Sequence, residues 1–190
     1  MPARRPARSR SIVLGVARVA LGRADGIDHF GNSPHAFLTS LAPLVAFPIV
    51  GTAIRLLGGA GLDAVVDFFA TICALLAPSV LSYEFARVWR REASWLRFAT
   101  AFNWCQWILP FIGSLLLLSI GLLQELGLSE SAATVVLVVG LGGYGLWLHW
   151  FLARHALELS TLRAMLLVLS VNVGTVLIVL GPRLLLTGRP

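Results

Sequence analysis

Five long apolar runs, separated by short polar segments, dominate this sequence. A helix needs about 20 residues to cross the hydrocarbon core of a bilayer, and each run reaches that length. Charged residues make up only 13% of the chain, about half the share of a typical soluble domain. The sequence therefore predicts an all-α integral membrane protein with a five-helix transmembrane bundle. The predicted spans are residues 35–57, 62–85, 98–123, 131–153 and 164–186.

The residues before the first span are predicted to form two segments of different character. Residues 1–10 are rich in Arg and Pro and hold no acid, which predicts a disordered Arg-rich tail. Residues 11–32 are predicted to form an amphipathic helix and a turn. The helix is too short to cross a membrane, so we expect it to lie in the interface with Arg18 outward; a helix packed on the bundle is the alternative. Its narrow polar stripe comprises Ser11, Gly15, Arg18, Gly22 and Asp25.

Residues 33–190 are predicted to form the five-span membrane domain. Ser33 followed by Pro34 is typical of a helix N-cap and first helical position, so the first span is expected to begin there. Pro43 and Pro48 lie inside this span, and each removes a backbone donor. A kink or local break is therefore expected in the first span.

The arginines are distributed unevenly between the two sides of the predicted bundle. All 15 basic residues are Arg, and twelve of them precede the first span or lie in the second and fourth connections. Three lie on the other side. Cytoplasmic segments carry an excess of basic residues, so the N-terminus is predicted to be cytoplasmic and the C-terminus periplasmic. The absence of Lys and the Arg-rich tail favour a bacterial chain, and hence the inner membrane.

The connection between the second and third spans combines cations with aromatic rings. The stretch Glu84–Trp107, here called the hinge, holds four arginines and four of the six tryptophans. Trp rings favour the headgroup level of a bilayer and guanidinium groups attract anionic lipid, so anionic membrane lipids are expected partners. Nucleic acid is excluded as a partner, because the arginines lie at the ends of apolar runs rather than along one polar face. The predicted membrane-surface contacts are Arg87, Trp89, Arg90, Arg91, Trp95 and Arg97.

Several polar side chains lie inside or beside the predicted spans. Asp63 and Asp67 are spaced i and i+4 on one helix face, just after Arg55. They could form a proton- or cation-handling site; alternatively, Asp63 caps the helix and Asp67 pairs with Arg55 or interacts with the helix dipole. Polar side chains deeper in the spans more often make interhelical hydrogen bonds than bind a ligand. The residues considered for a polar intramembrane site are Arg55, Asp63, Asp67, Asn103, Gln106 and Asn172.

No pattern of catalytic or metal-binding residues is found in the sequence. The run from Gly140 to Gly145 matches G-x-G-x-x-G, but it lies inside an apolar span, where glycines serve close helix packing. The two cysteines have no metal spacing and are expected to be small buried hydrophobes. We therefore expect no enzyme activity, no cofactor and no metal.

One local pattern resembles a known family. The segment F-G-N-S-P-H-A-F-L-T-S-L-A-P-L (Phe30 to Leu44), after a short amphipathic helix, resembles bacterial members of the Yip family of small membrane proteins. Five short-looped spans after a cytoplasmic N-terminal segment are similar to that family's architecture. In eukaryotes the family implies a role in vesicle trafficking with small GTPases, whereas a bacterial relative would keep the scaffold without those partners. The resemblance implies fold and topology and assigns no functional residue.

Three hypotheses about function follow from the sequence. The leading one is a non-enzymatic inner-membrane scaffold or partner-binding protein that acts through its cytoplasmic face, with a membrane protein or a second copy as partner. The alternative is a small transporter or channel component that uses Arg55, Asp63 and Asp67. A membrane enzyme or an enzyme subunit is the third.

Overall fold

The computed structural model describes residues 11–125 and 127–187. The described chain is helical throughout and contains no strand, which confirms the predicted all-α class. The predicted tail at residues 1–10 and the last three residues lie outside the described part. The helices are α1 (Ile12–Ala20), a short 3₁₀ helix η1 (Ala24–His29), α2 (Pro34–Leu57), α3 (Leu62–Val88), α4 (Glu92–Cys105), α5 (Ile108–Glu125), α6 (Glu130–Ala156) and α7 (Thr161–Thr187).

Five helical stretches of the described chain are long and apolar enough to cross a membrane, as the sequence predicts. At most 22% of the most apolar window in any of them is buried inside the protein, so most of their apolar surface lies on the outside of the bundle. These features fit a membrane protein with five spans. The five stretches are Pro34–Leu57, Leu62–Val88, Glu92–Glu125, Glu130–Ala156 and Thr161–Leu180.

The first span begins where the sequence predicts but does not break. The Ser33 side chain accepts a hydrogen bond from the Ala36 N–H, and Pro34 occupies the first turn of α2. Helix α2 then continues through Pro43 and Pro48 to Leu57, so of the expected kink or local break the break does not occur, and the kink stays a prediction.

The break occurs instead in the third span, between α4 and α5. The predicted span starts near residue 98, but the helix already begins at Glu92 and is interrupted at Gln106 and Trp107. The ring of Pro110 opposes the carbonyl of Gln106, four residues earlier, and provides no N–H for it. The Gln106 carbonyl accepts the Leu109 N–H at 3.2 Å instead, which tightens the chain locally.

The hinge is mostly helix rather than loop. Helix α3 runs to Val88 and α4 begins at Glu92, which leaves a turn of only three residues, Trp89 to Arg91. Arg90 adopts a left-handed conformation with φ of 56°, and the Arg91 N–H donates to the Ala86 carbonyl at 2.7 Å. These are features of a tight helix C-terminus, and they bring α3 and α4 together at one end of the bundle.

The packed core lies at that end. We call the end with α1, η1 and the Trp89–Arg91 turn the hinge end, and the end with the α2–α3 and α5–α6 connections the far end. Helix α3 packs most extensively on α7, while α4 contacts α2, α3 and α6. The buried cluster is dominated by residues of α4, the last turns of α6 and the first turns of α7. Its larger side chains include Phe30, Phe98, Phe102, Leu148, Phe151, Leu152, Leu157 and Leu167.

Helix α1 packs against the bundle at the hinge end. Val19 is fully buried in the core cluster, and Gly15 and Gly26 bring α1 and η1 into close contact. The Tyr144 hydroxyl donates to the Ala20 carbonyl at 3.1 Å and ties the end of α1 to α6. The structure thus shows the contacts expected of the packed alternative, and the position of α1 in a lipid interface remains a prediction.

Candidate functional site

Helix α4 is the centre of a set of polar contacts between spans. The Asn103 side-chain amide donates to Ser40 Oγ at 3.0 Å, and both residues are almost fully buried. The Trp95 indole N–H donates to Ser82 Oγ on α3 at 3.2 Å. The side chains of Gln106 and His149 lie 3.3 Å apart. Helix α4 and its C-cap residue Gln106 therefore form polar contacts to α2, α3 and α6, as expected where polar groups lie between apolar helices.

The loop before α2 is attached to the same helix through Asn32. Its side-chain nitrogen donates to the Ala93 carbonyl at 2.8 Å, and its side-chain oxygen accepts the Arg97 N–H at 3.0 Å. In a regular α-helix the Arg97 N–H donates to the Ala93 carbonyl, so Asn32 bonds to both members of one such backbone pair of α4. Its carboxamide therefore fixes the loop against the first turns of α4. Sequence reasoning treated Asn32 only as a turn residue, because nothing local indicates a partner more than 60 residues away.

Three of the predicted surface residues of the hinge are arginines that lie beside an acidic side chain of the protein. Arg87 pairs with Glu84 at 2.7 Å, Arg91 with Glu158 at 3.1 Å, and Arg97 lies 3.9 Å from Asp28. Both tryptophans of this set are half-buried, whereas Arg90 is exposed. Trp95 contacts Phe37 at a tilt and Tyr83 edge to face, and Trp89 lies beside Phe85.

A second group of ion pairs fastens α1 to η1. Arg18 and Arg23 both lie 3.1 Å from the Asp25 carboxylate. The hydrogen bond from Arg23 lowers the pKa of Asp25 below its ordinary value, with smaller contributions from the charges of Arg23 and Arg18. The carboxylate therefore stays ionised between two cations over the physiological range.

The residues considered for a polar intramembrane site are not brought together. Arg55 and Asp67 form an ion pair at 3.2 Å at the far end of α2 and α3. Asp63 lies in the first turn of α3, but the N-cap position belongs to Gly61, which has no capping side chain, so the capping role assigned to Asp63 was wrong. Asn103 and Gln106 belong to the α4 contacts nearer the hinge end. The Asn172 side chain donates to the Val168 carbonyl of its own helix.

Two cavities of very different size lie beside these polar groups. Where α3, α4, α6 and α7 meet, a space of about 10 Å³ is lined in part by His149 and Asn172, which is about the volume that one water requires. The same two residues supply polar groups to an open groove of about 510 Å³ between α5, α6 and α7. They therefore separate a small internal space from an open face of the bundle.

An apolar groove lies between α1, α2 and the broken third span. Its volume is about 750 Å³, and almost all of its lining is carbon. The lining residues are Ile12, Val13, Val16, Ala17, Pro43, Phe47, Trp104, Trp107, Ile108 and Phe111.

The described residues include no group of three or more His, Cys, Asp or Glu side chains that could hold a metal ion. Of the two cysteines, Cys105 is buried as expected, whereas Cys73 is exposed on the apolar surface, contrary to the prediction.

Comparisons of this chain with protein-family models, curated proteins and solved structures gave no significant match.

Proposed function

We propose that this protein is a non-enzymatic scaffold or partner-binding protein of the bacterial inner membrane, acting through its cytoplasmic hinge end. The observation that carries this proposal is the position of the packed core. Buried side chains concentrate beneath the hinge end, whereas the far halves of the spans present exposed apolar side chains. A rigid surface backed by a core is what a recognition surface requires, since little conformational entropy is then lost on binding.

The charge distribution supports the same surface. Among the described residues, segments on the hinge side carry eight arginines and five acids, while those on the far side carry two arginines and four acids. A cationic face attracts anionic lipid headgroups and acidic partner segments within about a Debye length. The same asymmetry supports a cytoplasmic N-terminus under the positive-inside rule.

Arg90 is the residue of this surface best placed to contact a partner. It lies in the three-residue turn between α3 and α4, is exposed, and forms no ion pair with any described residue. The neighbouring Arg87 and Arg91 already pair with Glu84 and Glu158. A guanidinium that is held on a tight turn and has no acid beside it is available to a carboxylate or a phosphate.

The experiment is site-specific photo-crosslinking of the full chain in native membranes. A photoreactive amino acid is placed at position 90 and, as a matched control, at position 60 in the α2–α3 connection of the far end. We expect a discrete protein or anionic-lipid adduct from position 90 that is absent from position 60. No adduct from position 90, or the same adducts from both positions, would overturn the proposal.

The transport alternative has weaker support. Its charged residues form an ion pair at the far end, and the deeper polar residues belong to separate contacts around α4 and α7. The proposed relationship to the Yip family concerns architecture alone, and the five apolar stretches are compatible with it.

A further inference from the structure

The open groove between α5, α6 and α7, here called the α6–α7 groove, differs from the apolar groove beside α1 because polar side chains line part of it. Its volume is about 510 Å³. His149 is the lining residue of α6 nearest the hinge end, and Asn172 of α7 lines both this groove and the small internal space beside His149. The remaining lining residues are Leu109, Leu137, Val138, Leu141, Gly142, Gly145 and Leu146.

Two neighbours hold the imidazole of His149 in place. The side-chain nitrogen of Gln106 lies 3.3 Å from His149 Nε2, and the ring of Phe102 lies against the imidazole with centroids 4.6 Å apart. An amide nitrogen only donates, so Nε2 accepts and the ring proton is on Nδ1. Nδ1 forms no hydrogen bond to a described residue and is not sealed inside the protein. His149 therefore supplies a fixed N–H donor that lacks an acceptor.

Asn172 supplies an acceptor to the same groove. Its side-chain nitrogen donates to the Val168 carbonyl at 2.8 Å, whereas its Oδ1 has no hydrogen-bond partner among the described residues and is not sealed inside the protein. The small internal space beside His149 and Asn172 holds about 10 Å³, enough for about one water. A larger polar group can reach these two side chains only from the α6–α7 groove.

The length and charge of the α6–α7 groove match a neutral amphiphile. His149 lies seven residues before the end of α6, roughly 10 Å along the helix, so the polar end is below the membrane surface. The lining includes no Arg, Asp or Glu, and a charged head at this depth would therefore lack a counter-ion. From His149 the lining continues along α6 to Leu137, roughly 18 Å, which is close to half of a hydrocarbon core about 30 Å thick.

We propose that the α6–α7 groove binds a neutral lipid whose head is a free hydroxyl, of the diacylglycerol class. The hydroxyl accepts from His149 Nδ1–H and donates to Asn172 Oδ1, whereas a quinone carbonyl would only accept and would leave that oxygen unpaired. The acyl chain lies along Leu141 and Leu137, over the exposed backbone at Gly142, where an added Cβ would meet nothing within 4 Å. This site is separate from the surface around Arg90, so either proposal can fail without the other.

The test is competition for a photoreactive lipid. The full chain is reconstituted in phosphatidylcholine nanodiscs with a diacylglycerol that carries a diazirine in one acyl chain, and mass spectrometry measures the adducts on residues 137–146. The competitors are unlabelled diacylglycerol and its acetylated form, which keeps both acyl chains but has no hydroxyl. We expect half-maximal competition at a mole fraction of diacylglycerol lower by on the order of fivefold, as one net hydrogen bond gives. Equal competition by the two lipids would overturn the proposal.

Variants of the two polar residues separate recognition of the hydroxyl from binding of the acyl chain. Asn172→Leu and His149→Phe should each remove the difference between the two competitors, because the hydroxyl then loses a partner, and should retain adducts on residues 137–146. A preference for diacylglycerol that survives in both variants would overturn the assigned roles of these side chains and with them the proposal.

A groove-filling variant provides an independent readout. Gly142→Leu places a side chain in the α6–α7 groove and should reduce the adducts on residues 137–146. Gly143→Leu is the matched control, since this neighbouring glycine is equally open but does not line the groove. Size-exclusion elution and helical circular dichroism establish that both variants fold. Adducts unaffected by Gly142→Leu would overturn the proposal, as would adducts that disappear when each disc holds two copies of the protein, since a second copy would then cover the groove.

Discussion

The Asn103 side-chain amide donates to Ser40 Oγ at 3.0 Å, and this bond joins the first and third spans inside the bundle. Ser40 also donates to the Phe37 carbonyl, so its hydroxyl serves both helices. Ser40 is 0% exposed and Asn103 is 1% exposed, so neither lipid nor water reaches this hydrogen bond. The contact holds α2 against α4 at the depth where the groove begins.

Asn103→Leu should destabilise the protein by about 1 kcal/mol, because it removes one interhelical bond while Ser40 keeps its bond to Phe37. The measurement is the midpoint of thermal unfolding in detergent. Ser114→Ala is the matched control, since that hydroxyl bonds only to the Pro110 carbonyl of its own helix and is exposed. An unchanged midpoint in Asn103→Leu would show that the buried bond contributes nothing net.

Gly26→Ala should separate α1 from η1. An added Cβ would lie 2.8 Å from both Arg18 Cβ and the Gly15 carbonyl oxygen, and the backbone oxygen cannot be relieved by a change of rotamer. We expect a loss of about 1–3 kcal/mol and faster hydrogen exchange across residues 12–30. Gly51→Ala is the control, because a Cβ there meets nothing within 4 Å and the substitution favours helix. Equal effects of the two substitutions would contradict the close packing of α1.

The contact between α1 and η1 should weaken at acidic pH through Asp25. Its folded-state pKa is lowered by Arg23, so the carboxylate contributes its full stabilisation above the unfolded-state value of 3.8. That contribution is lost as the pH falls through the lower, folded-state pKa. Hydrogen exchange of residues 12–30, corrected for the intrinsic pH effect, should therefore accelerate below about pH 4 relative to the rest of the chain. Asp25→Asn should show the faster exchange already at neutral pH and no further acid-dependent change in this segment.

Pro110→Ala should make the third span more continuous. The substitution restores an N–H opposite the Gln106 carbonyl and removes the ring that opposes it. Amide exchange at residues 106–110 should slow, because the restored N–H can complete the i to i−4 hydrogen bond to the Gln106 carbonyl. Pro78→Ala is the control, since α3 is unbroken at that proline. Unchanged exchange at residues 106–110 would assign the break to tertiary packing instead.

The proposed orientation predicts opposite labelling at the two ends of the bundle. In a Cys73→Ser background, Arg90→Cys should react with a membrane-impermeant maleimide in inverted vesicles and Ala60→Cys in spheroplasts. Cys105 can remain because it is buried. Labelling of both positions from the same side would refute the five-span topology, and labelling with the sides exchanged would refute the cytoplasmic hinge.

Local sequence signals predicted the spans well, for reasons that the structure makes plain. The length of each apolar run and the Ser33–Pro34 start are local properties, and α2, α3, α6 and α7 follow them closely. The Arg55–Asp67 pair could also be anticipated, because only a tight glycine turn separates the two helices that carry it. In contrast, Asn32, Ser40 and His149 gave no local sign of their distant partners on α4.

The sequence by itself determined that this chain forms five helical stretches long and apolar enough to cross a membrane, and where all but the third begin. Only the tertiary structure decided which helices are neighbours, that α4 lies at the centre, and that α5 leaves α2 to open a groove. The physical reason is that lipid and protein interior are both apolar. A leucine that faces a neighbouring helix and one that faces an acyl chain satisfy the same solvation requirement, so hydropathy cannot distinguish them. The side-chain packing and the few interhelical hydrogen bonds make that distinction.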